Sequence, residues 1–393
     1  MKRFLYIIIY SLLVGWQPIG AQLLSPEAKV SILTSEPYEG EVFTLYGHAA
    51  LRLNDPARNL DYVFNYGIFS FDKPNFVYRF AKGETDYMLG IMKYADYIAE
   101  YQMRGSRVTE QILDLAPVEV ERIWGALLKN YEPENRVYRY NFFFDNCATR
   151  PARLVETHVL GKVDYRWEPA AKTFREMINH CTRHHAWLTF GCDLVLGSPT
   201  DRIATPHEMM FLPDYLREAM ASAVLIDQEG NERPLVKETQ VTEALPAEEA
   251  PAEWFTPTVC AYILLCVVLL LTYREWRRGC HYYSLDAVLF LVAGLAGCVV
   301  WFIAFLSEHP ATWPNWNIIW LHPLQLLVVP FSLVKKARRM GYWYHFINFA
   351  ATTLMLAGGW FLPQHINPAF IPLILTLWVR SESIITNKKY KMA

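Results

Sequence analysis

The sequence predicts an α+β soluble half followed by an all-α membrane half. Three features predict it. Residues 22–240 mix short alternating apolar runs with amphipathic ones. Residues 255–381 consist mostly of long apolar stretches. Between them Val241–Trp254 is rich in Ala, Glu and Pro, has no apolar period, and reads as a linker. The expected organisation is a signal peptide over 1–21, a soluble domain over 22–240, a linker over 241–254, five membrane helices within 255–381 and a tail over 382–393.

The first segment has the parts of a secretory signal: Lys2 and Arg3, an apolar stretch from Phe4 to Val14, and the small pair Gly20-Ala21. Its apolar core is too short for the ~20 residues that cross a bilayer. In the soluble half Leu45–Leu53 alternates as a strand, Asn54–Asn59 has turn chemistry, and Leu60–Gly67 reads as the returning strand. Pro117–Tyr131 places Val120, Ile123, Trp124, Leu127 and Leu128 on one helical face. Arg136–Phe144 is strand-like, Asp145–Val159 opens a helix, and Met209–Met220 is a further helix. Val224–Val236 reads as a hairpin around Glu229-Gly230-Asn231.

Five spans are expected, at about 256–273, 285–306, 317–334, 343–361 and 366–380. Basic clusters follow the first (Arg274–Arg278), the third (Lys335–Arg339) and the fifth (Asn387–Lys391), whereas the Ser307–Asn317 and Pro363–Ala369 connections carry neither Lys nor Arg. Since Lys and Arg are retained in the cytoplasm, the soluble half is expected outside it. A net charge of -2 leaves no basic field for nucleic acid.

The candidate chemistry centres on Cys147. It follows a strand and an Asp145-Asn146 pair able to cap a helix, so its thiol sits where a helix dipole favours the thiolate. Pro151 lies close behind and would kink a helix capped at Asn146, unless a short turn precedes the main helix. His48 is the expected base. If Leu53 pairs with Leu60, then Arg52 faces Asp61 and His48 faces Asn65, which completes a Cys–His–Asn set in which the amide orients the imidazole; Asp61 is the reserve for that role. Cys181 and Cys192 are able to pair with each other, which would leave Cys147 as the odd thiol of the soluble half. The histidines between them match no common zinc spacing, and no metal is expected. Arg150 and Arg153, one helical turn on, are candidates to face a lipid phosphate. His309, Asn315 and Asn317 in the outer Ser307–Asn317 loop are candidates to shape substrate entry, and Phe69, Phe71, Phe76 and Phe80 to line an apolar path to the site.

The strings YGHAALRL, FNYGIFSF (Phe64–Phe71), PENRVYRYNFFFDNCATR (Pro133–Arg150) and GSPTDRIATPHEMMFLPDYL (Gly197–Leu216) together resemble the Lnb-type lipoprotein N-acyltransferases, over nearly the whole chain. The order of histidine before cysteine also resembles circularly permuted papain-like domains of the NlpC/P60 type, and the Asn146-Cys147 pair resembles the lecithin:retinol acyltransferase family. The resemblance implies a permuted papain-like catalytic domain in the periplasm, carried on five helices in the bacterial inner membrane. It implies transfer of an acyl chain from a phospholipid, through a thioester on Cys147 with His48 as base, to the N-terminal cysteine amine of a lipoprotein. No cofactor is called for. The competing reading is a membrane-tethered cysteine peptidase or amidase acting on cell-wall peptide, with water as acceptor.

Overall fold

Alternation of apolar and polar residues builds the soluble half around one antiparallel sheet. The computed structural model describes residues 24–69, 74–246 and 253–386; the expected signal, Phe71 and the Asn387–Lys391 cluster lie outside the described residues. In chain order the strands are β1 (Lys29–Ser35), β2 (His48–Asp55), β3 (Leu60–Ile68), β4 (Asp86–Lys93), β5 (Val108–Leu113), β6 (Val137–Arg139), β7 (Lys162–Tyr165), β8 (Ala223–Ile226), β9 (Glu232–Pro234) and β10 (Val236–Thr242). Seven form a sheet in the order β10-β5-β1-β2-β3-β4-β6, and β7-β8-β9 form a small second one. The helices of this half are α1 (Phe76–Lys82), α2 (Tyr94–Met103), α3 (Pro117–Tyr131), α4 (Thr149–His158), α5 (Phe174–Cys181), α6 (Ala186–Val195), α7 (Pro206–Met209) and α8 (Pro213–Ser222).

Because side chains alternate across a strand, each face of the large sheet has its own cover. Val30, Ile32, Leu51, Leu53 and Phe64 pack with α3, α4 and α8 through Ile123, Leu127, Val155 and Leu216. Leu33, Ala50 and Val63 pack on the other face beneath Tyr97 and Tyr101 of α2. Each such aliphatic side chain, fully buried, contributes about 1.5–3 kcal/mol. His48 and Asn65 lie two residues from Ala50 and Val63, so both belong to the α2 face, and the His48 ring stacks 6.3 Å from that of Tyr101.

The β2–β3 register differs from the one expected. Leu53 pairs with Tyr62, not Leu60, and Arg52 with Val63, not Asp61. The chain turns later than the sequence implies: both strands continue to an Asp55–Leu60 pair, and the reversal is made by a 3-10 turn at Pro56–Arg58 with Asn59 left-handed. The shift is two residues, so every side chain keeps its face. Arg52 still bonds Asp61, now diagonally, with Nε–Oδ1 at 2.7 Å. β1 precedes β2 in the chain and pairs with it, and β4, β5, β6 and β10 complete the sheet; the last of these runs into what reads as linker.

The second half holds α9 (Pro257–Arg278), α10 (Tyr283–Phe305), α11 (Val328–Leu333), α12 (Arg338–Gly358) and α13 (Phe370–Thr386). Among the described residues three segments are long and apolar enough to cross a membrane, 257–278, 283–305 and 316–333, against the five spans expected. α13 is 17 residues long, and α12 buries His345, Asn348 and Thr352 along its length. The third segment is not one helix. It consists of 3-10 turns at Trp316–Ile319 and Pro323–Leu327 before the six residues of α11. Pro323 lacks the N–H a continuous helix would use. The broken backbone also packs hard against α10 at Gly297, where an added Cβ would come within 2.5 Å of the His322 carbonyl carbon.

The halves meet along α6. Asp193, 1% exposed, accepts from Arg175 Nη1 at 2.9 Å and from Asn367 Nδ2 at 2.8 Å, while its backbone carbonyl accepts from Asn317 Nδ2 at 3.2 Å. Asn315 Nδ2 donates to the Leu194 carbonyl at 2.9 Å, and Phe190 meets Phe370 ring to ring at 5.2 Å. At a second contact Arg139 Nη1 binds Glu308 Oε2 at 2.7 Å.

Candidate active site

Cys147 sits in a turn that its own sequence locks. Asn141 and Asp145 bond each other's backbone, closing the Phe142–Phe144 loop. Asn146 then fixes the next step. Its side-chain oxygen accepts from the N–H groups of Ala148 and Thr149, both at 2.9 Å, and its amide donates to the carbonyls of Phe142 and Phe211, both at 2.8 Å. α4 begins at Thr149, so Pro151 falls in its first turn, where a missing N–H is tolerated. Cys147 is thus presented at the mouth of α4 and is buried.

Opposite it, β2 and β3 deliver the other two groups. His48 Nε2 and Asn65 Oδ1 lie 2.7 Å apart, and the thiol of Cys147 lies beside the His48 ring, close enough for each to shift the other's titration. Gly67 borders the pair. It sits at an irregularity in the β3–β4 pairing with φ +115, and a Cβ there would lie 3.6 Å from Cys147 Cβ and 3.7 Å from His48 Cε1. A larger side chain would be both strained and on top of the pair.

The electrostatics follow from these contacts. Burial alone would push the Cys147 thiol up. The charge and hydrogen bond of His48, with the N–H groups of Ala49 and of Cys147 itself, hold it below the usual thiol value. Burial likewise disfavours the His48 imidazolium, but the adjacent sulfur and the Asn65 oxygen raise its pKa above the ordinary histidine value. Both shifts favour the thiolate–imidazolium pair. Tyr140 lies beside the sulfur, and burial and the nearby thiol raise its pKa well above the ordinary tyrosine value, which keeps its hydroxyl protonated. Sequence reasoning missed Tyr140; the signal available was its place in the RYNFFFDNC string leading to Cys147.

The remaining expected residues are committed elsewhere. Asp61 is held by Arg52. Arg150 grips Asp145 with two bonds, at 2.9 and 2.7 Å, and lies 3.4 Å above the Tyr138 ring. Arg153 bonds Asp145 and the Phe144 carbonyl. His309 Nε2 lies 2.8 Å from the Phe80 carbonyl, and the amides of Asn315 and Asn317 bind the backbone of α6. Cys181 and Cys192 are free thiols, not a disulfide, each pushed up to about 11 by burial.

An aromatic row leads away from the sulfur. Tyr140 stacks on Tyr87 at 4.2 Å, Tyr87 meets Phe69 at 4.9 Å, and Phe69, Phe76 and Phe80 follow at 6.3 and 5.9 Å. The row ends beside the second half, where Tyr78 meets Phe302 of α10 at 5.9 Å. The cleft it lines holds only ≈ 20 Å³, about one water's worth of room.

A thiol beside an imidazole on an α+β half, joined to helices of membrane-crossing length, is the arrangement of a membrane protein with a soluble domain. Comparison with known families agrees and goes further. Residues 22–180 match the Lnb N-terminal periplasmic domain and residues 249–391 match the Lnb transmembrane domain, together well over half of the chain. The chain belongs to the Lnb family, a family of lipoprotein maturation. No curated protein and no solved structure matches it.

Proposed function

We propose that this chain is a lipoprotein N-acyltransferase of the bacterial inner membrane, with a permuted papain-like periplasmic domain over 22–240 and a multi-pass membrane domain over 255–381. The observation that carries the reading is the Cys147–His48–Asn65 cluster, with its aromatic row running to the membrane half.

The Cys147 thiolate attacks the ester carbonyl of a phospholipid acyl chain. The oxyanion is held by donors already directed at the sulfur: the N–H groups of Cys147 and Ala49 and the Tyr140 hydroxyl. The C–O bond to the glycerol breaks, the His48 imidazolium protonates the departing alkoxide, and lysophospholipid leaves a thioester on Cys147. His48 is now neutral. The amine of the lipoprotein's N-terminal cysteine attacks the thioester, its proton passes to His48, and the C–S bond breaks. The thiolate–imidazolium pair is restored with no net proton change. Asn65 orients the ring by accepting from Nε2, which leaves Nδ1 toward the sulfur. The aromatic row offers the acyl chain an apolar route, and its rings must part to admit one, because the closed cleft has no room for it. The burial of Cys147 limits the access of water to the thioester.

The test is mass spectrometry of two species. Purified chain mixed with phospholipid should gain one acyl mass on Cys147. Addition of a diacylated lipopeptide should then yield an N-acylated product. Cys147→Ser and His48→Ala should give neither, whereas Cys181→Ser should give both. Release of free fatty acid with no acylated amine would overturn transfer in favour of hydrolysis.

A further inference from the structure

A second, larger cavity lies apart from the aromatic row. It is a half-open groove of ≈ 860 Å³ where the ends of α12 and α13 nearest the soluble half meet the 3-10 turn at Ser198–Asp201. Its volume falls within the roughly 300–1,000 Å³ of ligand sites. Its two walls differ in chemistry. Met355 and Leu356 of α12, Ile371 and Ile374 of α13, and Leu362 and Ile366 between them make an apolar wall contributed wholly by the membrane half. Ser198, Asp201, Arg202, Gln364 and His365 make a polar rim on the side of the soluble half. An occupant is therefore an amphiphile, with hydrocarbon toward the helices and a polar head toward the soluble domain.

The rim's charges narrow the head further. The Arg202 guanidinium is gripped by Glu208, at 2.9 and 2.5 Å, and lies 4.8 Å from the Phe174 ring centre. Asp201 accepts two bonds from the buried Arg175, at 2.8 and 3.0 Å. Arg202 is the only Lys or Arg among the described lining residues, and its charge is already answered. A phosphate needs an unsatisfied cation or a fork of free donors. This rim instead suits a head of uncharged ester and thioether oxygen and sulfur.

We propose that this cavity seats the diacylglyceryl group of the acceptor: two acyl chains on an uncharged glycerol joined to the lipoprotein's N-terminal cysteine through sulfur. The assignment of acceptor over donor rests on the acyl-transfer reading. It divides the two lipid substrates between two places, the donor chain entering along the aromatic row and the acceptor's chains resting between α12, α13 and the Ser198–Asp201 turn.

The test uses the full chain in phosphatidylcholine nanodiscs and a synthetic diacylglyceryl-cysteine peptide bearing a diazirine on one acyl chain. Photolysis should label residues within 355–374. Unmodified lipopeptide should displace the label, and phosphatidylethanolamine should not. Ile371→Trp and Leu356→Trp, which fill the cavity from its membrane wall, should raise KM for the lipopeptide roughly tenfold or more. Formation of the Cys147 thioester from phospholipid reports independently that each variant is folded. Displacement of the label by phosphatidylethanolamine as readily as by lipopeptide would make this a phospholipid site and overturn the proposal, as would labelling confined to other segments or an unchanged KM in both variants. Absence of any thioester on Cys147 in the native chain would sink the acyl-transfer reading instead, and the photolabel would still report whether the cavity takes a diacylglyceryl chain.

Discussion

At Cys147 two opposed effects meet, and contact wins over burial. The thiol is held below the usual value and His48 above its own, shifts that both favour the thiolate–imidazolium pair. Iodoacetamide should accordingly alkylate Cys147 near neutral pH long before Cys181 or Cys192, which burial holds at about 11. In His48→Ala the alkylation curve for Cys147 should move to higher pH, read by peptide mass against pH; an unmoved curve would detach the thiol from the histidine. Tyr140 makes a separate prediction. Tyr140→Phe removes one donor and little volume, and should lower kcat by about 10²-fold with KM nearly unchanged. A change in KM alone would assign the hydroxyl to substrate binding.

Among the elements, the turn before α4 carries the most consequence. Asn146 makes four bonds to main-chain groups of three segments: the Phe142 loop, Phe211 and the start of α4. Asn146→Ala leaves buried donors and acceptors unmatched and should destabilise the soluble half by about 2–3 kcal/mol, seen as a fall in the unfolding midpoint; thioester formation should fall with it. A midpoint within error of the native one would show that the turn is held by other contacts. The same elements show how much was legible in the sequence. The Asn146 cap and the helix after it could be read because each has a local signature, whereas the strand expected over Arg136–Phe144 ends at Arg139, since Asn141 and Asp145 pair and close Phe142–Phe144 into a loop. The pairing of His48 with Asn65 survived a wrong register because a slip of two residues preserves the face. β5 escaped because its buried residues include Glu110 and Gln111, polar groups that look exposed until Arg52 and the Arg217 carbonyl are seen to satisfy them. Arg150 likewise reads as a free cation until Asp145 folds onto it.

For the molecule as a whole, the junction between the halves decides whether the site faces the membrane half. Asp193 joins Arg175 of α5 to Asn367 of the second half through its buried carboxylate, and its backbone carbonyl accepts from Asn317. Asp193→Ala leaves the Arg175 charge with only Asp201, and should cost about 3–5 kcal/mol. Faster hydrogen exchange at 311–317 and 364–369 would be the sign of a loosened junction, and unchanged exchange there would mean the apolar contacts suffice. Asn315 and Asn317 stood out in the sequence as polar residues in an outer loop, and no local pattern shows that their partners are carbonyls some 120 positions earlier. The break in the third apolar segment was equally hidden, since it depends on Gly297 of a neighbouring helix as well as on Pro323.

The short helix α1 bears on how such a protein meets its substrates. Val77, Tyr78 and Phe80 are exposed on it, beside the point where Tyr78 meets Phe302. On the acyl-transfer reading, a hydrophobic patch at that height would lay the soluble half on the lipid surface. Encounter then becomes a search in two dimensions. Turnover follows the mole fraction of donor and acceptor within the plane, not their amounts per volume. Diluting them laterally with an inert lipid slows the reaction even when the bulk concentration of every component is held constant.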